Sequence, residues 1–191
     1  MFKLDVHSGF LAEARQVASP NCDARPAGCE PDLIVVHGIS LPPGEFGGPW
    51  IDRLFANSLP EDEHPYFAEL AGQRVSAHFL IGRDGLITQY VPVNRRAWHA
   101  GESCFEEREC CNDFSIGIEL EGDDQTPYEE QQYHCLAMLI DTLRTQLDSL
   151  ADALIVGHSD IAPGRKTDPG DAFDWHKLDK LLTSGSGTGT K

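Results

Sequence analysis

Cations are scarce in this chain: 15 Lys and Arg stand against 31 Asp and Glu among 191 residues, a formal net charge of −16. A surface this negative excludes nucleic acid and an anionic membrane face as partners, since neither is attracted without a basic patch. No run approaches the length of about eighteen apolar residues that a membrane-spanning helix requires. The start, Met1-Phe-Lys-Leu-Asp-Val-His7, has no basic segment followed by a long apolar stretch, so no secretory signal is read there and a cytoplasmic location is expected. There is no CxxC pair, which excludes a cysteine-rich zinc knuckle, and no HExxH unit. Ser159 follows His158 without the Gly-x-Ser-x-Gly frame of a serine-hydrolase nucleophile. The six cysteines, an even count, are expected as free thiols, because a chain with an apolar core of this size does not need disulfides.

A hydrophobic content of 40% over 191 residues supplies one sizeable core and is short for two, so residues 1–183 are expected to form a single domain. Residues 184–191 have a Gly/Ser/Thr linker composition and are expected as a flexible tail. Apolar runs predict strands over 33–37, 77–82, 86–91, 115–120 and 153–157, the second and third joined as a hairpin around Arg83-Asp84-Gly85. The clearest helix is expected after Thr126-Pro127, with Thr126 as cap and a buried stripe of Leu136, Leu139, Leu143, Leu147 and Leu150. Shorter helices are expected around 49–57, 66–71 and 175–182, and residues 20–31 as an extended stretch lying over the fold. The fold class that results is α/β (α+β), with a central mixed sheet of about five strands flanked by helices.

The stretch from His158 to Asp171 puts a histidine, a lysine and carboxylates into one loop rich in proline and glycine. A second histidine, His37, ends the apolar run Leu33-Ile-Val-Val36, and His158 ends Ala153-Leu-Ile-Val-Gly157 in the same way. Two strands that each deliver an imidazole, with Asp168 a short loop later, could supply two nitrogens and one oxygen to a tetrahedral Zn²⁺ and leave one position for water. Glu119 lies out of place among Ile116, Ile118 and Leu120. Its carboxylate faces either solvent, as on an antiparallel strand with one wet face, or a site, where it would serve as general base. Arg165 and Lys166 are the cations nearest the loop, suited to an acidic small substrate.

Five strings agree in order with one known family: Val35-Val-His37-Gly-Ile-Ser-Leu-Pro-Pro-Gly-Glu-Phe-Gly-Gly48, Arg74-Val-Ser-Ala-His-Phe-Leu-Ile81, Arg96-Ala-Trp-His-Ala-Gly101, Cys111-Asn-Asp-Phe-Ser-Ile-Gly-Ile-Glu-Leu-Glu-Gly122 and Gly157-His-Ser-Asp-Ile-Ala-Pro-Gly-Arg-Lys-Thr-Asp-Pro-Gly170. On them the chain resembles the cytoplasmic AmpD amidases, zinc-dependent 1,6-anhydro-N-acetylmuramoyl-L-alanine amidases of the peptidoglycan-recognition-protein-like superfamily. The resemblance implies His37, His158 and Asp168 as zinc ligands, Glu119 as catalytic carboxylate and Lys166 as stabiliser of the oxyanion. It also implies a muropeptide substrate lying beside Trp98 and His99, and Arg74 is a candidate contact for an anionic part of that substrate. The reaction it implies is hydrolysis of the amide between the lactyl group of N-acetylmuramic acid and L-alanine in 1,6-anhydro-muropeptides, during cell-wall recycling.

Three positions depart from the family pattern: Gly38 where relatives often carry Asn, Ser159 where many have Cys, and Cys110 where some are polar or basic. None is a ligand, so these departures bear on affinity and specificity. His78 is expected either behind the metal ligands or in the core, and not on the metal. The alternative from a different class is a non-catalytic muropeptide-binding module of the same fold, whose sign would be a lost ligand. A monomer is the expected state.

Overall fold

The computed structural model describes residues 1–185. Six strands form its principal sheet: β1 (Arg15–Gln16), β2 (Leu33–Ile39), β3 (Phe79–Ile81), β4 (Ile87–Gln89), β5 (Ser115–Glu121) and β6 (Leu154–Gly157). The helices are α1 (Trp50–Phe55), α2 (Pro65–Glu69), α3 (Glu130–Gln146), α4 (His158–Ile161) and α5 (Trp175–Gly185). Across the sheet the order is β6-β2-β5-β3-β4-β1. The β6, β2, β5 and β3 strands run parallel, β4 turns back antiparallel to β3, and β1 lies parallel to β4. The expected five strands are therefore all present. The sixth, β1, was not expected, because two residues with no apolar alternation carry no strand signal; it forms by pairing Arg15 with Thr88 and Gln16 with Gln89.

Burial explains why β2 and β5 read as near-continuous apolar runs. Each has both faces covered, the usual condition of a parallel strand. Ile34 and Val36 of β2 and Ile116, Ile118 and Leu120 of β5 point to one side, where Leu136, Leu139, Ile140 and Leu143 of α3 close the main core. Each such side chain taken out of water contributes about 1.5–3 kcal/mol. Leu33 and Val35 point to the other side and meet Cys111, Phe114 and Ile161. On that second face a further core gathers around Phe55, Phe67 and Tyr90 beneath the short helices α1 and α2.

The start of α3 differs from expectation. Thr126 bonds Asp123 instead of capping, and the helix begins at Glu130 behind Glu129, whose backbone amide donates to the Gln132 side-chain oxygen at 2.9 Å. The buried Gln132 amide also donates to the carbonyls of Ile81 and Glu121 at 3.3 and 2.9 Å, tying the helix start to the ends of β3 and β5. Of the leucine stripe, Leu147 is the residue that ends α3 and Leu150 lies in a following 3-10 turn. Within the stretch 20–31, Cys22–Ala24 pairs antiparallel with Arg95–Ala97. The expected tail starts inside α5, which runs to Gly185; residues 186–191 lie outside the described residues. All six cysteines are unpaired. No helix among the described residues is long and apolar enough to cross a membrane.

Candidate metal centre and active site

Parallel strands open their carboxyl ends on one edge, the usual place for a ligand in such sheets. Here that edge is built by register. Glu119 sits directly opposite His37 on β5 and β2, and Gly157 opposite Val36 brings His158, the first residue of α4, alongside His37. His37 is not the end of its strand, which continues to Ile39, so its ring is sunk below the rim and 1% exposed. His158 is 3% exposed. Asp168 comes from the loop beyond α4, whose backbone is held by the Ser159 amide donating to the Asp168 carbonyl at 3.0 Å. The buried Tyr128 hydroxyl donates to the Pro169 carbonyl at 3.0 Å and fixes the same loop from the other side. At Gly170, with φ of +81°, any side chain would run into the Asp124 backbone, so the loop packs there only as glycine.

Three donor atoms converge. His37 Nδ1 and His158 Nδ1 are 2.9 Å apart, and Asp168 Oδ2 lies 3.2 and 3.1 Å from them. A tetrahedral ion bound at about 2.0–2.1 Å needs its donors roughly 3.3 Å apart, so the triangle needs to open only slightly to hold one. The outward nitrogen of His158 faces the Ala100 carbonyl at 3.1 Å. A carbonyl only accepts, so Nε2 carries the proton and Nδ1 presents its lone pair inward. Burial pushes the His37 pKa down to about 4, the neighbouring Asp168 only partly opposing this, so the ring is neutral, as a metal ligand must be. His37, His158 and Asp168 could thus hold a metal ion.

Glu119 is 8% exposed on a central parallel strand, not on an antiparallel strand with a wet face. Its Oε2 has no hydrogen-bond partner. Burial raises its pKa well above the ordinary carboxylate value, and the Asp168 charge adds to that against the opposing Lys166. In front lies a cleft of about 700 Å³. Its lining includes the apolar or aromatic Leu41, Leu54, Tyr66 and Leu70 and the charged Asp123, Asp124, Arg165 and Lys166.

The remaining candidates divide. Lys166 is exposed on the cleft wall, and its ammonium has no hydrogen-bond or ion-pair partner among the described residues. Arg165, expected beside it as a second cation for substrate, instead spends its guanidinium on the carbonyls of Ala100 and Glu102 at 2.6 and 2.5 Å. Arg74 is exposed beside the cleft residues Gln73 and Val75 and does not itself line the cleft. The half-buried Trp98 donates its indole N–H to Asp23 at 3.2 Å and is not a lining residue either. His99 reaches the cleft with 8% of its surface but turns both ring nitrogens inward, onto His37 at 2.9 Å and Ser115 at 3.1 Å. His78 lies in the core, its Nδ1 accepting from the Gly117 amide and its Nε2 facing the Arg95 carbonyl, both at 3.0 Å. Sequence reasoning passed over Ser115, Asn112 and Tyr128. For Ser115 a signal existed: Ser115, Gly117, Glu119 and Glu121 alternate with Ile116, Ile118 and Leu120, a polar face with period two.

Three inward donors, a buried carboxylate beside them and an open cleft in front form the arrangement that metal-dependent hydrolases use. The family model for N-acetylmuramoyl-L-alanine amidase matches residues 27–171, and the chain belongs to that family. It is 56% identical over 181 residues to the 1,6-anhydro-N-acetylmuramyl-L-alanine amidase AmpD of Enterobacter cloacae, covering 95% of this chain and 96% of that one. The crystal structure of a selenomethionine AmpD derivative, 56% identical, superposes with a TM-score of 0.90 over 94% of this chain and 99% of that one. A more distant structure is the amidase AmiD of Escherichia coli with the substrate anhydro-N-acetylmuramic acid-L-Ala-D-γ-Glu-L-Lys. It is 26% identical, with a TM-score of 0.55 over 93% of this chain and 65% of that one.

Proposed function

We propose that this amidase hydrolyses the amide between the lactyl group of an N-acetylmuramic acid and L-alanine, with 1,6-anhydro-muropeptides as substrate and Zn²⁺ as cofactor. The observation that carries the reading is the convergence of His37 Nδ1, His158 Nδ1 and Asp168 Oδ2 to within 3.2 Å at the floor of the cleft that Glu119 and Lys166 also line. Two imidazoles and one carboxylate are a donor set that suits zinc and leaves a position open. When bound, Zn²⁺ supplies Lewis acidity, which polarises the scissile carbonyl and makes a coordinated water acidic near neutral pH.

The chain's own groups do the rest. Glu119, with an uncommitted Oε2, takes the proton from the attacking water and returns it to the alanine nitrogen as the C–N bond breaks. The Lys166 ammonium, free of other partners, stabilises the negative charge that develops on the carbonyl oxygen. A cleft of about 700 Å³ lined by both apolar and charged side chains accommodates a sugar joined to a peptide. The substrates named for AmpD and AmiD support the anhydro-muropeptide assignment. Six unpaired thiols, with Cys104 and Cys110 exposed, suit the reducing cytoplasm.

The test is metal analysis joined to a cleavage assay on anhydro and non-anhydro substrates. Chelation should abolish cleavage and added Zn²⁺ restore it, while Asp168→Ala should lower metal content. Full activity after chelation would overturn the zinc reading. Equal rates on both substrates would overturn the anhydro preference, and binding without cleavage would point back to the binding-module alternative.

A further inference from the structure

Behind the three donors lies a chain of hydrogen bonds that ends on a backbone carbonyl. His37 Nε2 meets His99 Nδ1 at 2.9 Å, His99 Nε2 meets the Ser115 hydroxyl at 3.1 Å, and Ser115 Oγ lies 2.5 Å from the Cys111 carbonyl oxygen. A carbonyl accepts and never donates, so at that distance the single Ser115 hydrogen must point to Cys111. Ser115 therefore accepts from His99, which must carry its proton on Nε2. His99 Nδ1 is then a bare acceptor, and the proton it receives can only be the one on His37 Nε2. Read from its fixed end, the chain leaves His37 Nδ1 without a hydrogen and aims that lone pair at His158 and Asp168.

We propose that Ser115 and His99 are positioning residues for the metal centre, a relay that holds His37 in the ligand tautomer and orientation before any ion arrives. Two further observations show that the relay is built into the fold. The His99 ring lies against Gly117, where a side-chain carbon would collide with it, so the sheet keeps a glycine-sized seat for this imidazole on the same face as Ser115. The Asn112 side-chain oxygen accepts from the backbone amides of His99 and Ala100 at 3.0 and 2.8 Å. That clip matters twice, because the His99 ring supports His37 while the Ala100 carbonyl supports His158. One pinned dipeptide thus backs both histidines. Supporting partners of this kind typically change metal affinity by roughly 10–100-fold when removed.

The inference rests on the metal reading above, and its test separates the two. Nitrogen-15 imidazole spectra of the metal-free protein should show His99 protonated on Nε2 and His37 protonated on Nε2, each with a bare Nδ1. Zn²⁺ competition against a chelating dye should show about 10-fold weaker binding in Ser115→Ala and a similar or larger loss in His99→Phe, with Ser115→Thr, which keeps the hydroxyl, closer to the parent. Melting of the metal-free Ser115→Ala protein gauges any purely structural loss, which would leave the tautomers unmoved. Spectra with His99 or His37 protonated on Nδ1 in the parent protein, or a folded Ser115→Ala protein that keeps parental Zn²⁺ affinity, would overturn the relay. If the parent protein binds no Zn²⁺, the metal reading fails, and the tautomers still decide the relay.

Discussion

Replacing Glu119 by Gln should make the metal-free protein more stable while destroying its turnover. The side chain is buried between two parallel neighbours, its Oε2 unpartnered and its pKa raised well above the ordinary value by desolvation and then by Asp168. A folded-state pKa above the unfolded one fixes the sign. Below the ordinary glutamate value, near 4.3, both states are protonated and the carboxyl costs nothing extra. As pH rises, the unfolded chain ionises freely while the native carboxyl must stay protonated or carry a buried charge, so native stability is lost by ~1.4 kcal/mol per pH unit until the native group also ionises. Glutamine keeps the shape without the charge. The expected gain is negligible at pH 4 and exceeds about 1 kcal/mol by pH 8, since each pH unit over which only the unfolded chain ionises adds ~1.4 kcal/mol. For a chain of this length that is roughly 2–4 °C in Tm per kcal/mol. The assay is thermal melting of both chelated proteins across pH 4–8, beside cleavage by the zinc-loaded forms. A melting difference independent of pH, or a variant less stable at pH 8, would refute the assigned environment of Glu119. A variant with normal turnover would remove Glu119 from the mechanism.

Other perturbations act on separate parts of the structure. Lys166→Ala should lower kcat by roughly 10²–10³-fold, the typical loss of one oxyanion-stabilising donor, with metal content unchanged; steady-state kinetics with metal analysis checks this. Gly38→Asn adds a Cβ that would collide with the Tyr128 hydroxyl, and displacing Tyr128 frees the Pro169 carbonyl next to Asp168. A loss of about 1–3 kcal/mol is expected, smaller in the background of Tyr128→Phe, measured by denaturant melts of the single and double variants. Arg25→Leu removes the half-buried guanidinium that donates to the carbonyls of Asn112, Asp113 and Ser115 at 3.1, 2.8 and 2.9 Å. Leaving these acceptors unmet should cost about 3 kcal/mol, read as a lower denaturant midpoint.

Local pattern alone determined much of this protein. Apolar runs located β2, β5 and β6, the turn at Asp84-Gly85 located the β3–β4 hairpin, and the leucine spacing located α3, because burial imposes periods that one stretch of chain displays by itself. His37, His158, Asp168, Glu119 and Lys166 were legible as candidates, since ionisable groups at the ends of apolar strands or in a Gly/Pro loop need a reason to be there. What tertiary structure decided is which of them meet and in what state. Register across β2, β5 and β6 set His37 beside Glu119 and His158, and no local sequence term encodes register between residues 82 and 121 positions apart, as Leu33 is from Ser115 and Leu154. Burial from both faces, not strand composition, left Glu119 without a partner and made His37 neutral. The same packing took Arg165 for backbone carbonyls and turned His99 from the substrate side toward His37 and Ser115. Residue identity fixes which protons and lone pairs a side chain possesses; where they point is settled only once neighbours from distant segments have claimed them.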